Sequence, residues 1–83
     1  MNMNDRVKNI SNREDLARFV EEMSKALKNG ERWENRDLKS FLEAMAAWIE
    51  DMDGYFENQG EPCPTSPSWK TFAQILAAST VYE

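Results

Sequence analysis

The sequence predicts an all-α fold, a small three-helix bundle. Residues 1–10 precede the bundle as a flexible N-terminal arm, for which a short extended conformation is the alternative. Apolar side chains recur at helical spacing in three segments, each segment begins near a capping residue, and glycine or proline separates the segments. A chain of 83 residues has room for one small core, so residues 11–83 are predicted to form a single helical domain.

The first predicted helix begins at the capping box Ser11-Asn12-Arg13-Glu14, in which the Ser11 hydroxyl and the Glu14 carboxylate bond to each other's backbone amides. Asn29-Gly30 is typical of a left-handed helix end. Between these signals, the apolar positions follow helical spacing: Leu16, Phe19, Val20, Met23 and Leu27.

The second predicted helix begins at Asn35, with Asp37 in its first turn. Gly54 interrupts it, and the sequence leaves open whether the helix continues or breaks before Tyr55. Its apolar positions keep helical spacing for five turns: Leu38, Phe41, Leu42, Met45, Trp48, Ile49, Met52, Tyr55 and Phe56.

A proline-containing connector over residues 58–67 separates the second helix from the third. The pair Ser66-Pro67 predicts the start of the third helix, with serine as the N-cap and proline at the first helical position. The predicted core is made of apolar side chains from all three helices: Leu16, Phe19, Val20, Met23, Leu27, Leu38, Phe41, Leu42, Met45, Ile49, Met52, Phe56, Phe72 and Leu76, with Trp33 and Trp69 at or beside it.

Charge is sorted along the chain. Residues 1–39 carry nine basic and eight acidic side chains, whereas residues 40–83 carry one basic and seven acidic side chains. The second half therefore has a net charge of −6, which favours positively charged partners and repels phosphate backbones. We therefore expect no binding to nucleic acid.

Glu43, Glu50 and Glu57 are spaced by seven residues and form a stripe opposite the predicted core. Such a stripe is commonly only a solubilising face, but the absence of any basic residue from Glu43 to Glu61 favours a docking surface for lysine and arginine. Trp48, Asp51 and Tyr55 share a seam at the edge of the apolar stripe. Large rings beside a carboxylate are typical of binding hot spots, although a core that extends to these rings explains them equally well. The sequence predicts that these six residues bind a basic partner protein.

Catalytic and metal chemistry have little support in this composition. The chain has no histidine, which excludes Ser-His-Asp, Cys-His and histidine-rich zinc sites. Cys63 lies between two prolines with no base nearby in sequence, and Asp51-Met52-Asp53-Gly54 fails the ligand spacing of a calcium loop. We expect no enzymatic activity, no cofactor and no metal site.

Several tryptophan-centred motifs resemble a family of small uncharacterised bacterial domains. The likeness covers roughly residues 11–83 and implies a bacterial setting, but no activity and no site residues. In general character the chain is also similar to small acidic helical immunity and antitoxin proteins that mask basic nuclease toxins. The motifs are Trp33-Glu34-Asn35, Phe41-Leu42-Glu43-Ala44, Ala47-Trp48-Ile49-Glu50-Asp51, Ser68-Trp69-Lys70-Thr71-Phe72-Ala73 and the terminal Tyr82-Glu83.

These observations predict a non-enzymatic protein–protein interaction module that masks a basic partner. The alternative is a ligand-binding protein or enzyme that uses carboxylates such as Glu43 and Glu50 in a helical cleft, where burial raises a carboxyl pKa. The N-terminal residues lack the apolar stretch of a secretory signal or a membrane span, so we expect a cytoplasmic protein without membrane contact. The sequence leaves the oligomeric state open.

Overall fold

The computed structural model describes residues 3–82, and every regular element in this range is a helix. The elements are α1 (Met3–Val7), α2 (Arg13–Lys28), α3 (Leu38–Asn58) and α4 (Trp69–Ser79). The predicted all-α fold is confirmed, and its three predicted helices correspond to α2, α3 and α4. Residues 1 and 2 of the predicted N-terminal arm and the motif residue Glu83 lie outside the described residues.

Helix α4 is the packing partner that the other three helices share, since α1, α2 and α3 all contact it. Three of its four buried positions hold small side chains, Ile75 being the exception: Ala73 and Ser79 have no exposed surface, and Thr71 is 4% exposed. Small side chains let neighbouring helices approach from several directions at once. The shortest of the three long helices therefore holds the domain together.

The core lies where α1, α2 and α4 meet, and Trp33 of the α2–α3 connection completes it. Phe19, Met23 and Phe56 are buried as the sequence predicts. The core cluster is Val7, Ile10, Phe19, Met23, Trp33 and Ala73.

Several predicted core residues are exposed, so that part of the prediction is wrong. On α3, Leu38 is 73% exposed, Leu42 52% and Ile49 44%. The apolar stripe of α3 is wider than the surface α4 covers: α4 packs on the side of Ala44 and Trp48, and the other edge faces solvent. Val20, Trp69 and Phe72 are likewise exposed.

Residues 3–7 form helix α1 and do not take the extended conformation considered for the N-terminal arm. Val7 and the following Ile10 are each 6% exposed and belong to the core. Arg6 also contacts α2, where its Nε donates to Glu22 Oε2 over 2.8 Å. Two buried apolar side chains and the Arg6–Glu22 ion pair therefore join this segment to the domain.

The N-cap of α2 is Asn12, one residue later than predicted. Asn12 Oδ1 accepts from the Asp15 backbone amide at 2.8 Å, while the Asp15 carboxylate accepts from the backbone amide and hydroxyl of Ser11 at 3.1 and 3.0 Å. The two bonds from Ser11, and after them the ion pair with Arg18, hold the pKa of Asp15 below its usual value. Asn12 thus makes the first half of a capping box one residue later than predicted, whereas the return bond from Asp15 goes to Ser11, the residue before the cap.

The starts of α3 and α4 are also later than predicted. Asp37 caps α3 by accepting from the Ser40 amide at 3.0 Å, because Asn35 is engaged elsewhere. Ser68 caps α4 by accepting from the Thr71 amide at 3.1 Å. The Thr71 hydroxyl lies 3.0 Å from the Ser68 hydroxyl, a second bond that favours Ser68 as the cap.

Gly30 and Gly54 have different roles, one at a helix end and the other inside a helix. Gly30 has a φ of +83°, the left-handed conformation that ends α2 as predicted. Gly54 lies inside α3, which continues through it to Asn58. The structure thus answers the question that the sequence leaves open.

Candidate functional site

The acidic stripe predicted on α3 is present on its outer surface. Glu43, Glu50 and Glu57 are all exposed. Lys39 Nζ lies 2.9 Å from Glu43 Oε1, and this bond raises the pKa of the lysine. Within residues 3–82, no ion pair forms at Glu50 or Glu57. Two of the three carboxylates therefore remain uncompensated.

Trp48 is not part of an accessible binding surface, and its assignment as a partner-binding residue is wrong. The side chain is only 6% exposed, because α3 turns this face toward α4. Its ring packs against Tyr55 with centroids 5.3 Å apart, and Tyr55 packs edge-on against Phe56 at 5.1 Å. The interpretation of Trp48 as core is correct, whereas Tyr55 remains 38% exposed.

Asp51 is engaged within the domain by Tyr82 of the terminal motif. The Tyr82 hydroxyl donates to Asp51 Oδ2, which raises the pKa of the phenol. The two residues are 31 positions apart, and no local pattern links them. Asp51 therefore joins the C-terminal residues to α3.

Asn35 makes a second connection to the C-terminal end of α4. Its Nδ2 donates to the carbonyl oxygens of Ser79 and Tyr82 at 3.0 and 2.9 Å, and its backbone amide donates to Thr80 at 3.0 Å. Carbonyls at a helix C-terminus lack partners within the helix. One asparagine therefore supplies three donors to this helix end and its extension.

The six predicted partner-binding residues do not form one patch. At about 100° per residue, Glu50 and Tyr55 point roughly 140° apart around α3. Trp48 and Tyr55 instead line a cleft of about 360 Å³ between α3 and α4. Lys8, Lys70 and Glu61 also line this cleft, so its charge is mixed.

An open apolar surface lies on the other side of α3. Together with Val20 of α2 and Leu76 of α4, Leu38 and Phe41 line a groove of about 330 Å³. The buried Trp33 also lines this groove, and its Nε1 has no hydrogen-bond acceptor among the described residues. Leu42 and Ile49 continue the exposed apolar surface along α3.

No metal or membrane site emerges from the residues described. Asp51 and Asp53 lie within a continuous helix and so form no calcium loop. Between residues 3 and 82, no cluster of three or more histidine, cysteine, aspartate or glutamate side chains is arranged to hold a metal ion. No helix in that range combines the length and apolar character needed to cross a membrane.

Comparison with known proteins identifies the domain without assigning its activity. No curated protein and no solved structure is significantly similar to the chain. A family model described as "Family of unknown function (DUF7660)" matches residues 12–83. This match covers the capped start of α2 and everything that follows, so the chain belongs to this family.

Proposed function

We propose that this domain is a non-enzymatic protein–protein interaction module whose acidic α3 face binds a basic protein. The observation that carries the proposal is the pair Glu50 and Glu57, which are exposed on one helix face and form no ion pair with any basic residue between positions 3 and 82. Uncompensated surface charge of one sign attracts a partner of opposite sign and raises the association rate.

The partner class that fits is a protein with a cluster of lysines or arginines, such as a basic nuclease toxin masked in a bacterial cytoplasm. Ala47 and Gly54 lie between the glutamates along the stripe and leave room for long basic side chains. Glu43 contributes less, since Lys39 already neutralises it.

The alternative function, carboxylate chemistry in a helical cleft, requires Glu43 or Glu50 to be buried. Both side chains are exposed, so neither lies in the buried cleft that this alternative needs. We therefore favour the interaction module.

The test is nuclear magnetic resonance of the labelled protein titrated with a lysine-rich peptide, followed by capture of native partners. Peptide-induced shifts should map to Glu50 and Glu57 and should disappear in high salt. The variant Glu50→Lys/Glu57→Lys should lose both the peptide and the native partner. The matched control Glu14→Lys/Glu21→Lys changes the net charge equally on α2 and should retain them.

A native partner that is neutral or acidic, and whose binding is insensitive to salt, would contradict the proposal. So would equal loss of binding in the two double variants, because it would show that net charge matters and the α3 face does not.

A further inference from the structure

The cleft beside Trp48 and Tyr55 is built by three of the helices. Helices α1 and α3 both pack on α4, and residues of α1, α3 and α4 line the cleft. On the α4 side, Ala77 and Ala78 have short side chains that leave this space open. With a volume of about 360 Å³, the cleft is at the lower end of the size range of small-molecule sites.

Aromatic and aliphatic side chains form part of the lining. Trp48 is 6% exposed and Tyr55 is 38% exposed, so the tyrosine offers the more accessible ring. Val81, just after α4, is 55% exposed, and Gln59 and Gln74 add side-chain amides. Apolar surface of this kind binds the body of a small ligand, and a few polar groups beside it fix the orientation of that ligand.

The basic groups of the cleft come from distant parts of the chain. Lys70 is the one basic residue in positions 40–83, and Lys8 directly follows α1. Both line the cleft, and neither forms an ion pair within the part of the chain that the structure describes. Together with one acid, Glu61, these lysines give the lining a net charge of +1 in a chain of net charge −5. The cleft is therefore opposite in sign to the whole molecule.

We propose that this cleft binds a small organic anion, a carboxylate carried on an aromatic or aliphatic body. The carboxylate accepts hydrogen bonds from Lys8 and Lys70, and such charge-assisted bonds are stronger than neutral ones. The body of the ligand packs against Tyr55 and Val81. A single negative charge matches the net charge of the lining, and apolar walls beside the lysines concentrate that attraction.

Other anions fit the cleft less well. Two lysines are too few to hold a nucleic-acid backbone against the acidic charge of the second half of the chain. An inorganic anion would leave the aromatic and aliphatic lining unused. Glu50 and Glu57 do not line the cleft, so this proposal does not depend on the proposed function.

Nuclear magnetic resonance titrations with three probes test the proposal. Phenylacetate has both the charge and the apolar body, 2-phenylethanol lacks the charge, and acetate lacks the body. Phenylacetate should produce saturable shifts of the Gln74, Ala77 and Ala78 backbone amides and of the Trp48 indole N–H. The other two probes should each bind about three- to tenfold more weakly.

Charge variants test the role of the lysines. Lys8→Gln and Lys70→Gln should each weaken phenylacetate binding about two- to fivefold, the range for exposed charge pairs, and should leave 2-phenylethanol binding unchanged. Glu61→Gln removes a like charge and should strengthen phenylacetate binding. The matched control Lys28→Gln changes the net charge equally at an exposed position of α2 outside the cleft, and it should bind phenylacetate as the wild type does. Circular dichroism verifies the fold of each variant.

Four results would overturn the proposal. One is the absence of saturable shifts at about 20 mM phenylacetate, a concentration that would fill a site with a low-millimolar Kd. Another is equally tight binding of acetate or 2-phenylethanol. The third is a set of shifts centred on Leu38, Phe41 and Leu76, which would place the probe in the apolar groove. The last is equal weakening by Lys28→Gln and the two cleft variants, which would show that only the net charge of the protein matters.

Discussion

At the scale of single residues, Asn35 has the largest structural role that the sequence does not reveal. Because Asn35 precedes an apolar run, its position predicts an N-cap, yet its amide bonds to carbonyls more than forty positions away. A cap and a tertiary contact use the same side-chain chemistry. Only the fold distinguishes them, and Asp37 takes over the capping role.

The substitution Asn35→Ala should destabilise the domain by about 1–3 kcal/mol, because it leaves the half-buried carbonyls of Ser79 and Tyr82 without their donor. Urea unfolding followed by circular dichroism measures the loss. Asn9→Ala, at an exposed position after α1, should change the free energy of unfolding by less than about 0.5 kcal/mol. Equal stability of the two variants would contradict this role for Asn35.

The hydrogen bond between Tyr82 and Asp51 predicts that the stability of the fold depends on pH. The hydrogen bond to Asp51 raises the pKa of the Tyr82 phenol above 10.0, since the bond requires the protonated hydroxyl. A raised folded-state pKa means that the bond stabilises the fold below the unfolded pKa. This contribution is lost as the pH rises through the folded-state pKa.

Phenolate absorbance measures this pKa in a Tyr55→Phe background, where Tyr82 is the remaining tyrosine. The variant Asp51→Asn should lower the pKa of Tyr82 toward 10.0. Asp53→Asn, two residues along α3 and about 160° around the helix from Asp51, should leave it raised. A pKa that responds equally to both substitutions would indicate a general charge effect.

At the scale of helices, the sequence predicts where α2, α3 and α4 occur but not which edge of α3 is buried. Periodicity shows that a stripe is apolar, and the stripe of α3 exceeds the width that one neighbouring helix covers. Ile49 and Trp48 are adjacent in sequence, yet Trp48 is buried and Ile49 is exposed. The choice depends on the long-range position of α4, which no local pattern encodes.

In the candidate site, too, local features could be predicted from the sequence and long-range contacts could not. The outward direction of Glu43, Glu50 and Glu57 follows from helical spacing alone and is correct. The engagement of Asp51 by Tyr82 depends on where the chain ends in space. The pairing of Glu43 with Lys39 is local and was open to prediction, because the two residues are four positions apart.

At the scale of helices, a substitution at Gly54 tests whether α3 is continuous. It lies in the interior of α3, and a Cβ added there meets nothing within 4 Å. Gly54→Ala should therefore stabilise the domain by about 0.5–1 kcal/mol, since alanine loses less backbone entropy on folding. The rise should appear as a higher urea midpoint with an unchanged slope.

Gly30→Ala is the matched control, because space is equally open there but φ is +83°. It should destabilise the domain, since a Cβ disfavours that conformation. Destabilisation by Gly54→Ala would mean that α3 does not continue through this position.

At the scale of the whole molecule, the question is whether residues 3–10 are part of the cooperative domain. The matched family model begins at residue 12, and the sequence predicts a flexible arm before residue 11. Val7 and Ile10 nevertheless contribute two of the six side chains in the core cluster, and α1 packs on the helix that all others share. We therefore expect the segment to unfold together with α2, α3 and α4.

The double variant Val7→Ala/Ile10→Ala should lower the free energy of unfolding by about 3–5 kcal/mol, because each truncation removes buried apolar surface and leaves a cavity. The whole domain should respond, with the folded-state tryptophan fluorescence and the helical signal lost in one transition at a lower urea concentration. Lys8→Ala/Asn9→Ala alters the exposed residues between them and should leave the midpoint nearly unchanged. If both double variants unfold like the wild type, residues 3–10 lie outside the cooperative unit, and the α1–α4 contact contributes nothing to stability.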